Sequence, residues 1–349
     1  MRHPARLSLA ALTAAGLLLT GCSGDANSTG EAQPASQQTQ DGGVFASTWP
    51  LTGLNAKGDQ QTAQDHPILV AKIDNSGSAQ QSGLSDADLV VEELVEGGTT
   101  RLAAFYYSTM PDEVGPVRSM RASDIGIVPE GARIVTSGAA PVTIKRVKDA
   151  GITFYGEGAK GFYRSSSQAA PYNLFNRLSE LADSAKVKTT RPSDYLEWGS
   201  AEDLPQGVPA TTVYADFGSH TSQWNFDKSS GRWNSPTTNA RQGDEFPAET
   251  VLALKVRVGD AGYKDPAGSF VPETKFEGKG EALLFHDGRM VRGTWSKDGL
   301  KGPIKLTTKS GKLTVPAGPG LGVTLDEDRL AFFARTEREV RLRILEGRR

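Results

Sequence analysis

Short apolar runs punctuated by X-Gly pairs constrain this chain most. Gln223–Asp227 and Arg232–Asn234 flank Ser230-Gly231. Ala282–His286 and Met290–Trp295 flank Asp287-Gly288, and Leu306–Thr308 and Lys312–Val315 flank Ser310-Gly311. Glycine reaches the positive φ that a tight antiparallel turn demands, so each set predicts a hairpin. Thr211–Phe217 and Val251–Val258 add two more runs of strand character. A mostly antiparallel β domain over 206–349 follows. Its last segment, Leu330–Ile344, fits either a closing strand pair or a helix.

The preceding segment has a different texture. Pro67–Asn75 predicts a buried strand, and Asp88–Glu96 and Thr99–Ser108 flank Gly97-Gly98 as a two-residue hairpin. Ala132–Ser137 predicts a further strand. Ser119–Val128 predicts a short helix stopped by Pro129, and Pro141–Ala150 a second, closed by Gly151. Asn173–Val187 carries apolar residues at 174, 175, 178, 181 and 185, a helical stripe. The expected fold class is therefore α+β: a mixed α/β N-terminal domain over 49–205, then the β-rich C-terminal domain over 206–349.

Before Trp49 the chain reads as an address. Arg2 and Arg6 precede the apolar run Leu7–Leu19, and Leu19-Thr20-Gly21-Cys22 has the form of a bacterial lipobox. The expectation is a signal peptide over 1–21 and a mature chain that begins at a diacylglyceryl-modified Cys22. Residues 22–48 are rich in Ser, Gly, Gln and Ala, a composition that buries too little apolar surface to fold. They predict a flexible tether from the outer face of the bacterial cytoplasmic membrane. Cys22 is the sole cysteine, so no disulfide can brace the folded part. A formal net charge of −2 offers no global basic field for nucleic acid.

The side chains with chemistry cluster between 74 and 124. A loop at Gly97-Gly98 would pair Glu96 with Thr99, Leu94 with Arg101 and Glu92 with Ala103. Glu92, Glu96 and Arg101 would then share one face as a charged cluster. The two glutamates would stand about 13 Å apart at ~3.3 Å per residue. That is wider than the roughly 5–9.5 Å between glycosidase carboxylates. In Gly115-Pro116-Val117-Arg118-Ser119-Met120-Arg121, the two arginines lie three apart. Their forks could grip a phosphate or carboxylate, or they could tie the loop to Asp74, Glu92, Glu96 or Asp124. Trp224, Phe226 and Trp233 could stack on a sugar or pack across strands, and Trp295 is expected in the core. His66, His220 and His286 show no zinc spacing. No cofactor motif and no G-x-S-x-G elbow occurs, so neither metal nor cofactor is expected.

The run from Lys72 to Asp124, with VEGGTTR and VGPVRSMR, resembles the N-terminal domain of the YerB-like bacterial lipoproteins. GKGEALLFHDGRMVRGTWSK (278–297) is similar to their C-terminal domain. The resemblance implies an extracytoplasmic lipoprotein of paired domains of unknown function. It supplies no catalytic residues. Two functions then compete. One is a binding or scaffold module of the cell envelope. It would hold an anionic wall component or an envelope protein through Asp74, Glu92, Glu96, Arg101, Arg118 and Arg121. The other is a glycan or phosphodiester hydrolase or transferase using Asp74, Glu92 or Glu96.

Overall fold

The computed structural model describes residues 47–57, 62–187, 190–326, 330–336 and 339–344. The expected signal segment and the expected lipidation site Cys22 lie outside the described residues. β1 (Leu69–Asp74), β2 (Leu89–Leu94) and β3 (Thr100–Tyr106) form where the apolar runs predict them. All six residues of β1 are buried, because β1 pairs antiparallel with β3 on one side and parallel with β4 (Arg133–Val135) on the other. β5 (Thr153–Tyr155) continues the parallel edge. Parallel neighbours need a crossover. After α1 (Asp124–Ile127), α2 (Pro141–Asp149) provides it. Pro141 opens α2 and Gly151, at φ +78°, follows its end, the usual helix asymmetry.

Two predicted helices shrink. Leu174–Asn176 is a strand paired with Phe162–Arg164, and the helix α3 begins only at Leu178 and ends at Ser184. Val117 N–H donates to the Leu174 carbonyl at 2.7 Å, and Val114 and Asn176 exchange bonds of 2.9 and 3.0 Å. These tertiary pairings override a stripe that only weakly prefers helix. Ser119–Val128 yields just α1. The backbone before it is committed to β1: Arg118 N–H donates to the Lys72 carbonyl at 2.7 Å, and Asp74 N–H to the Pro116 carbonyl at 3.0 Å. The N-terminal part is thus sheet-dominated with few, short helices, rather than a balanced α/β domain.

The three X-Gly hairpins form around their predicted turns. Asp287 and Gly288 both take positive φ, 45° and 65°, as a two-residue turn requires. Leu330–Thr336 and Glu339–Ile344 are a strand pair, not a helix. They join Thr212–Asp216, Thr221–Asp227 and Arg232–Asn234 in a five-stranded sheet.

The main sheet crosses the expected border at residue 206. The strand Gly320–Asp326 runs parallel to both its neighbours, the long strand Thr250–Lys264 and β2. It pairs Val323 with Ala253 on one side and with Glu92 on the other. Each face of this shared sheet carries its own apolar core. Leu69, Ala71, Ala104, Leu283 and Phe285 lie in one, and Val70, Phe105, Leu252, Leu284 and Trp295 in the other.

Candidate functional site

Alternation along β1, β2 and β3 sorts the polar residues onto the two faces. Asp74 pairs with Arg101, and Arg101 with Glu93; Ile73 pairs with Leu102, and Leu102 with Glu92. The predicted register is therefore wrong by one residue. The loop has three residues, Glu96–Gly98, closed by Val95 N–H to the Thr99 carbonyl at 2.9 Å. Gly97 and Gly98 both adopt left-handed φ, 70° and 71°, which admits this longer loop. A one-residue slip exchanges the faces. The expected Glu92–Arg101–Glu96 cluster does not form. Glu93 joins Arg101, and Glu92 points to the opposite core.

On the Glu93 side, the GPVRSMR corner is tied down. Arg121 grips Glu96 with both arms of its fork, Nε to Oε1 at 2.5 Å and Nη2 to Oε2 at 2.8 Å. Burial works against the Glu96 carboxylate, yet Arg121 outweighs it and keeps its pKa below the ordinary value. Arg118 lies 3.8 Å from Asp74, donates to the Pro171 carbonyl at 3.2 Å and stacks on Tyr172. Arg101 donates to the Ser119 carbonyl at 2.8 Å. Burial, and next the charge of Arg121, lower its pKa to about 10. Lys72 has no exposed surface; it binds Glu93 and sits 2.8 Å from Asp124 Oδ1. Lys72 thus contacts both Glu93 and Asp124, Arg118 lies beside Asp74 and Arg121 pairs with Glu96, whereas Arg101 holds the Ser119 carbonyl.

Glu93 was not singled out by its sequence context. Its alternation partner changed only with the loop length. Burial, then repulsion by Asp124, push its carboxyl up to about 7 against the pull of Lys72. A carboxyl raised in the folded state holds its proton more tightly folded than unfolded. Its contribution is complete below the unfolded value near 4.5 and is lost as pH rises through about 7. Unfolding free energy should therefore drop by a few kcal/mol from about pH 5 to about pH 8 on account of this group. Urea titrations of wild type and Glu93→Gln check it: the variant should lose most of that drop, and equal slopes would refute the assignment.

On the other face, Glu92 lies at a cavity of about 400 Å³ between the main sheet and the five-stranded sheet. Its Oε1 accepts from Asn75 at 3.0 Å, Thr100 at 2.7 Å and Ser222 at 2.6 Å. Two of those donors come from the N-terminal part and one from the C-terminal part. Trp224, Trp233, Asn225, Asn234 and Glu245 also line the cavity; among the described residues no Lys or Arg lines it, and His220 Nε2 lies 3.4 Å from Glu92 Oε1. Trp233 is a mixed case. It packs on Phe226 and Phe285 as a cross-strand aromatic should, yet its buried indole N–H has no acceptor among the described residues. Trp295 is a core residue, its N–H donated to the Lys255 carbonyl at 2.7 Å. Of the charged residues singled out from sequence, Asp74, Glu96, Arg101, Arg118 and Arg121 come together on one face, while Glu92 reaches the cavity, where Trp224 and Trp233 join it.

A two-part sheet protein, with a polar and aromatic cavity built jointly by both parts, is what these features define. The chain belongs to the family described as "Protein of unknown function (DUF3048)": residues 51–191 match its N-terminal domain and 212–321 its C-terminal domain. It is similar to the "Putative lipoprotein YerB" of Bacillus subtilis (strain 168), 25% identical over 282 residues, 78% of this chain and 83% of that protein. The crystal structure of YerB protein from Bacillus subtilis shares the fold, with TM-score 0.66 at 22% identity, covering 80% of this chain and 97% of that one.

Proposed function

We propose that this protein is a binding module of the bacterial cell envelope, tethered by lipid at Cys22 to the outer face of the cytoplasmic membrane. Its ligand occupies the cavity at Glu92. The observation that carries this reading is the cavity itself: about 400 Å³, walled by both family domains, with a carboxylate fixed by donors from each. The lining narrows the ligand. Among the described residues Glu92 and Glu245 are the charged side chains that line it, so an anionic polymer is disfavoured and a neutral or cationic group is favoured. Amide and hydroxyl side chains beside two tryptophans suit a polyhydroxylated ligand such as a glycan fragment. The lipid tether rests on the lipobox and on the description of the relative as a lipoprotein.

The hydrolase alternative loses two of its carboxylates, since Asp74 and Glu96 lie outside the cavity beside arginines. Calorimetry of the purified protein against neutral wall oligosaccharides and against anionic teichoic polymer tests the reading. The oligosaccharide should bind and return unchanged. Trp224→Ala should weaken it at least about tenfold, the equivalent of ~1.4 kcal/mol. Binding of the anionic polymer alone would overturn the reading, and recovery of cleaved fragments would replace it with the hydrolase.

A further inference from the structure

Lys72, Glu93 and Asp124 form a set that ion pairing alone leaves incomplete. All three side chains are fully withdrawn from water, and Glu93 Oε2 has no hydrogen-bond partner. Lys72 Nζ touches Glu93 Oε1 and stands 2.8 Å from Asp124 Oδ1. The other Asp124 oxygen, Oδ2, accepts from Arg121 N–H at 2.7 Å. The amine thus sits against a carboxyl group whose far oxygen is already held by a backbone donor. A second carboxyl group is within reach of both.

We propose that Lys72 and Asp124 are joined by an intramolecular isopeptide bond, with Glu93 as the proton relay. Glu93 takes a proton from the Lys72 ammonium, and Nζ forms a bond to Asp124 Cγ. Negative charge gathers on Oδ2, where the Arg121 N–H stabilises it. Glu93 carries that proton and a second one from Nζ to Oδ1. The Cγ–Oδ1 bond breaks and one water leaves. An ammonium and a carboxylate give an amide and water, Glu93 is restored, and no oxidant or external reactant is needed. Glu93 suits the relay because its Oε1 touches Lys72 Nζ while its Oε2 has no hydrogen-bond partner among the described residues. Burial excludes the water that would otherwise compete for the amine and the carboxyl. The bond would tie β1 to the start of α1, in a chain whose single cysteine denies it a disulfide.

Tryptic peptide mapping of the purified, denatured full chain tests this directly. The bond protects Lys72 from cleavage. Peptide 58–101 should then appear joined to peptide 122–133, their summed mass short by one water. Glu93→Gln, nearly isosteric and checked for native circular dichroism, should abolish the joined species and restore cleavage at Lys72. Separate peptides 58–72, 73–101 and 122–133 from the wild-type chain would overturn the proposal. Peptide 58–101 short by one water but joined to nothing would place the bond on Glu93 and overturn the assigned acceptor. A joined species persisting in Glu93→Gln would overturn the relay.

Discussion

Lys72→Ala is expected to cost about 3–5 kcal/mol of unfolding free energy, the loss typical when one partner of a buried ion pair is removed. Lys72 is the only cation in contact with Glu93 and Asp124 at zero exposure among the described residues. Without it, two carboxyl groups face each other in the core. Folding must then protonate both or bury like charges. An isopeptide bond at the same residues adds to the loss, so the sign does not depend on it. The comparison is Lys145→Ala: Lys145 pairs with Asp149 on the exposed face of α2 at 2.6 Å. That exposed pair is worth at most about 1 kcal/mol. Urea unfolding monitored by circular dichroism measures both. A Lys72→Ala loss no greater than that of Lys145→Ala would refute the buried-triad reading.

Val323→Asp should be as damaging, through a different route. Val323 is 1% exposed in the strand that bridges the two family domains. Its register partner on β2 is Glu92, so the new carboxylate would stand beside an existing one away from water. Burying an unpaired charge costs several kcal/mol or forces protonation. Because the strand belongs to both parts, the two should lose stability together. Tryptophan fluorescence reports mainly on the C-terminal part, which holds Trp224, Trp233 and Trp295, and limited proteolysis after Arg118 or Arg121 reports on the N-terminal part. Coincident, lowered transitions are expected. An N-terminal part that unfolds at its wild-type midpoint would show that Gly320–Asp326 does not couple them.

Legibility from sequence followed the range of the interaction. Strands β1, β2 and β3 and the hairpins at Ser230-Gly231, Asp287-Gly288 and Ser310-Gly311 were readable. Local alternation and turn chemistry settle such elements. The helical stripe misplaces Leu174–Asn176 because the strand pairings that claim it, with the distant Val114–Val117 and the nearer Phe162–Arg164, leave no mark in its own periodicity. The site was half legible. Arg118 and Arg121 do pair with Asp74 and Glu96, as acids at those spacings suggested. Glu93 was passed over and Glu92 assigned to the wrong face because Gly97-Gly98 serves a three-residue loop as readily as a two-residue one. A single residue of loop length decides which of two adjacent glutamates meets the lysine and which meets the cavity.

Composition and the turn residues determined the class of the folded part: a strand-rich body whose single cysteine allows no internal disulfide. These are properties of neighbouring residues, and neighbours in sequence suffice to express them. Tertiary structure alone decided that Gly320–Asp326 slots between β2 and Thr250–Lys264 and merges the two parts into one sheet. It also decided that Ser222 meets Glu92, and that Lys72 meets Asp124. Each of those pairings closes a long loop. The entropy of closure is recovered only when buried surface and hydrogen bonds form together across the whole sheet, and no local pattern records that sum.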